Sequence, residues 1–306
     1  MNVIECNDLI KLQGRKKALN GMTFAIKAHT ITGLIGRNGA GKTNLLRLLA
    51  GYWRPDSGSL KVFGREPFES LEVSAHSILI DDEMQFPATM NLSEILAEGA
   101  RFYENWDGQL ANGLMSYFEI SGKQHHLELS KGKRSTFNTI LGLAARCPLT
   151  LFDEPATGMD ANVRSDFYRA LLKEYLAFPR TIIVSSHHME EMEHLFEDVL
   201  LVDQGKAKLH IGLEDLKEYA VSAEGDKQIL DQFTENAEVL FEKKEALGSV
   251  KQVIRNTLSA ETLSAMKTAG IKLSAVSPAD ACMYVTNRHK GGIDDVFENR
   301  AAESGR

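Results

Sequence analysis

Apolar positions along the first two hundred residues follow two spacings. Short dense runs, MTFAI at 22–26, TITGLIG at 30–36, LTLF at 149–152 and TIIVSS at 181–186, are the length of buried strands. Between them apolar residues recur at helical spacing. Leu45, Leu46, Leu48 and Leu49 form the buried side of a helix over 42–50. SGSLKVFG at 57–64 predicts a turn and a strand. Residues 91–120 read as helical, with a break near Trp106 and Asp107. Further helices are predicted over 131–146 and 160–176, and HHMEEMEHLF at 187–196 is expected to open another. VLLVDQGKAKLHIG at 199–212 predicts a hairpin turning at Gln204–Gly205. Strands alternating with helices predict an α/β layered fold. Beyond about residue 220 the pattern weakens into mixed pieces without a recognisable motif. There is no internal repeat and no low-complexity tract.

Composition narrows the reading. A chain of 306 residues suits one large domain, or one domain with a smaller appendage. With 43% hydrophobic and 25% charged residues it reads as globular. The net charge of -7 argues against a free-standing nucleic-acid binder, which carries a basic face. No apolar run approaches the roughly 18–20 residues that cross a bilayer. The start, MNVIECNDLI, lacks a basic segment followed by a long apolar core, so no secretion signal is expected. Cys6, Cys147 and Cys282 are widely spaced and odd in number, which predicts neither a disulfide framework nor a metal site. A cytoplasmic protein is expected, with peripheral attachment to a membrane partner left open.

The chemistry is concentrated in GLIGRNGAGKTNLLRLLAG at 33–51. Gly36, Gly41, Lys42 and Thr43 fit G-x-x-x-x-G-K-[ST], with Arg37, Asn38, Gly39 and Ala40 filling the loop and Asn44 following it. Glycines let backbone N–H groups curl round a phosphate, and the helix that begins here aims the positive end of its dipole at the anion. Lys42 is placed to reach the β- and γ-phosphates, and the Thr43 hydroxyl to bind Mg²⁺. Average residue usage gives this pattern by accident in about one chain of this length in a hundred. Here it also lies between an apolar strand and a helix, as a nucleotide site requires.

Two further segments complete a hydrolytic set. LTLFDEP at 149–155 ends a buried strand in Asp153 and Glu154, at the strand end where α/β sheets bind ligands. Asp153 is expected to hold Mg²⁺ through water, and Glu154 to polarise the attacking water. SSHHMEE at 185–191 follows another strand. A histidine there can bond a γ-phosphate, or the segment can simply open a helix with a serine cap and glutamates in its first turn. The residues alone do not choose between His187 and His188.

In this order the motifs resemble the nucleotide-binding subunits of ATP-binding cassette (ABC) transporters. GRNGAGKT matches the phosphate loop, LSKGKR at 129–134 is similar to the family's signature LSGGQ, LFDEP to Walker B, and ATGMDA at 156–161 to the D-loop, with Asp160 as its acid. SSH resembles the switch-histidine motif, which selects His187. The match spans roughly residues 2–215. The resemblance implies a P-loop NTPase of ABC type, with a RecA-like core, an antiparallel β subdomain and a helical subdomain over about 86–146. Residues 1–220 form this domain, and 221–306 an extension without assigned role. It implies ATP with Mg²⁺, catalysis by Glu154 and His187, and head-to-tail pairing with a second nucleotide-binding subunit, identical or different. Ser130, Lys131 and Gly132 would then meet the γ-phosphate of the partner's ATP. A separate membrane-spanning permease would convert the motion into transport at the cytoplasmic face of the membrane. The pattern is most similar to the branch linked to bacterial drug, antibiotic-resistance and acetoin-utilisation exporters.

Several positions depart from the family. Gln13 stands where an aromatic residue usually stacks on adenine, a contact worth roughly 1–3 kcal/mol where bases stack on aromatics. Asp82 best fits the usual Q-loop glutamine, with Gln85 as runner-up, and Asn44 replaces a common hydroxyl residue. Phe86, Phe102, Tyr103 and Trp106 in the helical region suit an interface, although most are expected to pack internally. The competing functions are an ABC-type ATPase not engaged in transport, and a nucleotide-dependent regulatory module.

Overall fold

The computed structural model describes residues 1–245 and 248–286 and divides into two compact units, Met1–His210 and Ile211–Arg306. In the first unit β1 (Asn2–Gln13) and β2 (Lys16–Lys27) are long antiparallel strands. Burial along β1 alternates for much of its length, as for a sheet with one face on the core. β3 (Ile31–Ile35) is buried at every position and leads through the glycine loop into α1 (Lys42–Leu49). β4 (Ser57–Val62) pairs with β1, giving a three-stranded antiparallel sheet in the order β2-β1-β4. α2 (Leu71–His76) and β5 (Ser77–Ile80) follow.

The predicted helical stretch over 91–120 is two helices, α3 (Leu92–Phe102) and α4 (Gly108–Tyr117). The break falls at Trp106–Asp107 because Asp107 caps α4, its carboxylate accepting the Leu110 N–H at 2.8 Å. α3 opens with a reciprocal capping box between Asn91 and Glu94. α5 (Lys131–Ala145) is buried from Thr136 onward, and β6 (Leu149–Asp153), α6 (Ala161–Ala177) and β7 (Thr181–Ser186) follow it. The helix expected from HHMEEMEHLF is instead two 3₁₀ turns, Met189–Glu191 and Glu193–Leu195. The buried residues Met189, Met192 and Leu195 recur every third position, which suits the three-residue turn of a 3₁₀ helix rather than 3.6. β8 (Asp198–Asp203) and β9 (Lys206–Gly212) form the predicted hairpin, with Gln204 and Gly205 both at positive φ, 51° and 72°.

Six strands form the central sheet in the order β5-β6-β7-β3-β8-β9. β5, β6, β7, β3 and β8 run parallel. Their near-continuous burial reflects cover on both faces. Among the described residues no helix is long and apolar enough to cross a membrane.

The second unit has an architecture that its sequence concealed. α7 (Leu213–Lys217) precedes β10 (Ala220–Asp226), α8 (Lys227–Thr234), β11 (Val239–Lys244), β12 (Ser249–Arg255), α9 (Ala260–Thr268) and β13 (Lys272–Ala275), and α10 (Pro278–Thr286) closes the described chain. The four strands are antiparallel in the order β11-β12-β10-β13. That is the β-α-β-β-α-β arrangement of ferredoxin-like units. Its core gathers Ala223, Leu230, Ile254, Met266 and Ile271. Cys6, Cys147 and Cys282 are all buried and outside any disulfide, and burial pushes each thiol up to about 12.

Candidate functional site

Three neighbouring strand ends build the site. In the sheet, β7 lies between β6 and β3. The register sets Asp153 opposite Ser185 and Ile35 opposite Ser186. The chemistry predicted from three distant segments therefore meets at one carboxyl-end edge, where open α/β sheets bind ligands.

The phosphate loop is shaped by contacts as well as by its own glycines. A Cβ on Gly36 would lie 2.3 Å from the Val202 carbonyl oxygen. One on Gly41, which has φ +114°, would lie 2.8 Å from that of Ala18. The hairpin turn braces the loop: Gly205 N–H donates to the Ala40 carbonyl at 2.8 Å and Asn20 N–H to the Gly205 carbonyl at 2.8 Å. Gly36, Ala40, Gly41 and Lys42 are buried, Thr43 and Asn44 are half-buried, and Arg37, Asn38 and Gly39 face solvent.

Lys42 Nζ donates to the Gly36 carbonyl at 2.6 Å and lies 3.1 Å from Glu154 Oε1, an ionic contact without hydrogen-bond alignment. The other carboxylate oxygen, Oε2, lies 2.9 Å from His187 Nδ1. An ionised carboxylate only accepts, so Nδ1 donates in that contact. Nε2 is left for another partner. His187, chosen over His188 by resemblance, is thus the ring on Glu154, while the His188 ring stacks obliquely on it at 3.9 Å. Glu154 has φ +48°, unusual for a residue with a side chain and costing on the order of 1–3 kcal/mol. A cleft of about 230 Å³ opens beside Glu154 and His187, lined also by Thr157, Arg164 and Tyr168.

Ser185 joins this cluster, although no motif in the sequence singles it out. Its hydroxyl accepts the Glu154 N–H at 2.9 Å and donates to Asp153 Oδ1 at 2.6 Å. One side chain thus fixes both acids. Only the cross-strand register places it there. Ser185→Ala is expected to lower the maximal hydrolysis rate about tenfold or more with little change in ATP affinity, since a hydrogen bond to a charged group contributes roughly 1.5–3 kcal/mol. Steady-state phosphate release set beside equilibrium nucleotide binding checks this.

The remaining predicted residues cap helices, pack closely or face solvent. Ser130 caps α5, accepting the Lys133 N–H at 3.4 Å, with Lys131 exposed beside it. Gly132 packs so tightly that a Cβ would sit 2.4 Å from the Gly158 carbonyl, and Ser135 Oγ donates to the Thr157 carbonyl at 2.8 Å. LSKGKR and ATGMDA are therefore locked together within the chain. Asp160 caps α6 through the N–H groups of Asn162 and Val163. Asp82, Gln85 and Gln13 are exposed. The neighbouring Asp81 is the acid that feels Asp153: burial first, then the charges of Glu83 and Asp153, push its carboxyl above the usual range, against the pull of Arg47.

Comparison with known proteins gives the family. A family model described as ABC transporter matches residues 19–157. The ABC transporter ATP-binding protein YtrB of Bacillus subtilis is 30% identical over 216 residues, covering 71% of this chain and 74% of the relative. The bacitracin transport ATP-binding protein BcrA of Bacillus licheniformis is 31% identical over 223 residues, covering 70% and 71%. A solved dimeric ATP-binding cassette in a post-hydrolysis state, bound to ADP and Pi, superposes with a TM-score of 0.60 at 16% identity. It covers 69% of this chain and 98% of that one, a likeness of fold. The chain belongs to the family of ABC transporter ATP-binding proteins, and it is an ATP-binding ATPase of that family.

Proposed function

We propose that this chain is the ATP-hydrolysing subunit of a membrane transporter, with Glu154 as the general base. The observation that carries the reading is the convergence of Lys42, Glu154 and His187 within hydrogen-bonding or ionic reach at one sheet edge. The loop from Gly36 to Asn44 wraps the phosphates and Lys42 neutralises them. Glu154 takes the proton of the attacking water, and His187, oriented through Nδ1, turns Nε2 towards the γ-phosphate. Thr43 and Asp153 offer hard oxygen donors that fit Mg²⁺, an ion held by few protein ligands together with phosphates and water. Ser185 leaves Asp153 Oδ2 free for that role. Bound there, the ion would offset charge on the phosphates.

Ser130, Lys131 and Gly132 lie at the start of a 15-residue helix, a setting that favours an anion. In this reading they close over the ATP of a second nucleotide-binding subunit, and Asp160 lies in the same interface. A permease docks on the helical subdomain. An open apolar groove of about 500 Å³ there is lined by Met84, Phe86, Met90, Ile95, Phe102 and Tyr103. Phe102 is 66% exposed within it, whereas Trp106 packs on Gly99. The chain then works at the cytoplasmic face of the membrane. The relative named for bacitracin transport, together with the resemblance to antibiotic-resistance exporters, supports export. Sedimentation of the Glu154→Gln chain tests the pairing. ATP is expected to double its mass, and Ser130→Phe to abolish the doubling. A monomer at saturating ATP would contradict pairing between identical chains.

A further inference from the structure

A buried chain of hydrogen bonds joins the segment before Ser130 to the end of β5, and none of the chemistry above uses it. His126 is 4% exposed, four residues before Ser130. Its Nε2 lies 2.8 Å from Asn138 Oδ1. Asn138 is 2% exposed on α5, and its Nδ2 donates to the Asp81 backbone carbonyl at 3.1 Å. Directions follow from chemistry. A backbone carbonyl only accepts, so the Asn138 amide nitrogen faces Asp81 and its oxygen faces His126. Nε2 of His126 therefore carries the hydrogen, and Nδ1 carries a lone pair. Nδ1 is buried without a hydrogen-bond partner. The ring lies edge-on to Phe86 at 4.8 Å and near Phe137 at 5.8 Å, apolar neighbours that give a second proton nothing to bond. Burial accordingly holds His126 below the usual histidine range, and the Arg134 charge works in the same direction.

What this chain of bonds holds is Asp81. Asp81 follows directly on β5, beside β6, which ends in Asp153. Its carboxylate lies 3.7 Å from Arg47 on α1, the helix that opens at Lys42. Arg47 in turn contacts Glu83 at 2.6 Å and stacks over Trp53. Asp81 is thus gripped by its carbonyl from α5 and by its side chain from α1. We propose that His126 and Asn138 are positioning residues for ATP hydrolysis, fixing the Asp81 corner beside Asp153 and tying its placement to the helix that carries Ser130. The inference rests on the assignment of Asp153 and Glu154 proposed above. Neither residue touches nucleotide. A shift of α5 at Ser130 is carried by Asn138 to the Asp81 carbonyl, and so to the acid beside the hydrolytic site of the same chain.

Steady-state ATP hydrolysis by the full chain tests the proposal with three variants, each checked by thermal melting. Asn138→Leu keeps the size and removes both hydrogen bonds. His126→Phe keeps an aromatic ring among Phe86 and Phe137 and removes the donor. His126→Gln keeps an N–H for the Asn138 carbonyl. The first two are expected to lower kcat about tenfold or more, with KM for ATP within about twofold, because the phosphate loop is untouched. Their double variant should be no slower than the worse single, since both break one chain of bonds. His126→Gln should stay within about threefold of the wild type. Unchanged kcat in folded Asn138→Leu and His126→Phe overturns the proposal, as does a His126→Gln rate equal to that of His126→Phe. Glu154→Gln in the same assay separates the two readings. If it abolishes hydrolysis while the relay variants stay at full rate, only the positioning role fails. If it hydrolyses normally, the site assignment itself fails.

Discussion

Glu154→Gln is expected to lower the hydrolysis rate roughly 10²–10⁴-fold while leaving ATP binding intact. The substitution changes one atom, keeps the shape and keeps an oxygen for the His187 hydrogen bond at Nδ1. What it removes is the capacity to take a proton. It also removes the ionic contact of Lys42, 3.1 Å away, so Lys42 is freer to meet phosphate and ATP affinity should hold or rise. A loss of affinity with an unchanged rate would assign Glu154 to binding instead. Phosphate release measured beside equilibrium binding separates these outcomes. Activity within a few-fold of the wild type would mean that another group activates the water.

Glu174→Ala is expected to destabilise the first unit by roughly 3–5 kcal/mol, the typical cost of leaving a buried charge without its partner. Arg180 is 2% exposed, donating to the Thr150 hydroxyl and to the carbonyls of Leu143 and Phe178. The counter-charge nearest to it is Glu174, 3.6 Å away and 6% exposed. Glu174 also receives Arg146 on both carboxylate oxygens, at 2.7 and 3.3 Å, and Arg146 reaches Asp107 at 2.8 Å. Four alternating charges thus link the start of α4 to α6 and to the approach to β7. Burial pulls the Arg180 guanidinium below its usual range, and the charge of Glu174 opposes that pull. For a unit of this size the loss corresponds to a melting temperature lower by roughly 6–20 °C. Glu174→Leu combined with Arg180→Leu should recover much of the loss, because no unpaired buried charge remains. Equal melting temperatures for Glu174→Ala and the wild type would show that the buried arginine needs no counter-charge.

The site was legible in the sequence where local chemistry alone dictates residue type. A loop that wraps phosphate needs glycine at 36 and 41 and a cation after it, and the strands around it read as plain apolar runs. Ser185 was illegible because its role comes from lying opposite Asp153 across the sheet, a relation that no spacing along the chain encodes. The Glu174–Arg180 network was hidden for the same reason, since a glutamate on a helix and an arginine before a strand ordinarily face water. His126 lies outside every motif, three residues before LSKGKR, and its partner Asn138 meets it only through the fold. The second unit was missed for a different reason. β11 carries Glu242, Lys243 and Lys244, and β13 has only four residues, three of them exposed, so neither shows the alternation that marks a strand. The 3₁₀ turns after His188 resemble a helix in sequence because Met189, Met192 and Phe196 stand at i, i+3 and i+7, the spacing of one α-helical face.

The claim that this ATPase drives transport is tested most directly by purifying the tagged chain from its native membranes in mild detergent and identifying its companions by mass spectrometry. The account predicts a multi-span membrane protein in near-equal amount, retained by the wild type and lost when Phe102 in the apolar groove is replaced by Glu. Recovery from the soluble fraction alone, or with ribosomes, would contradict it.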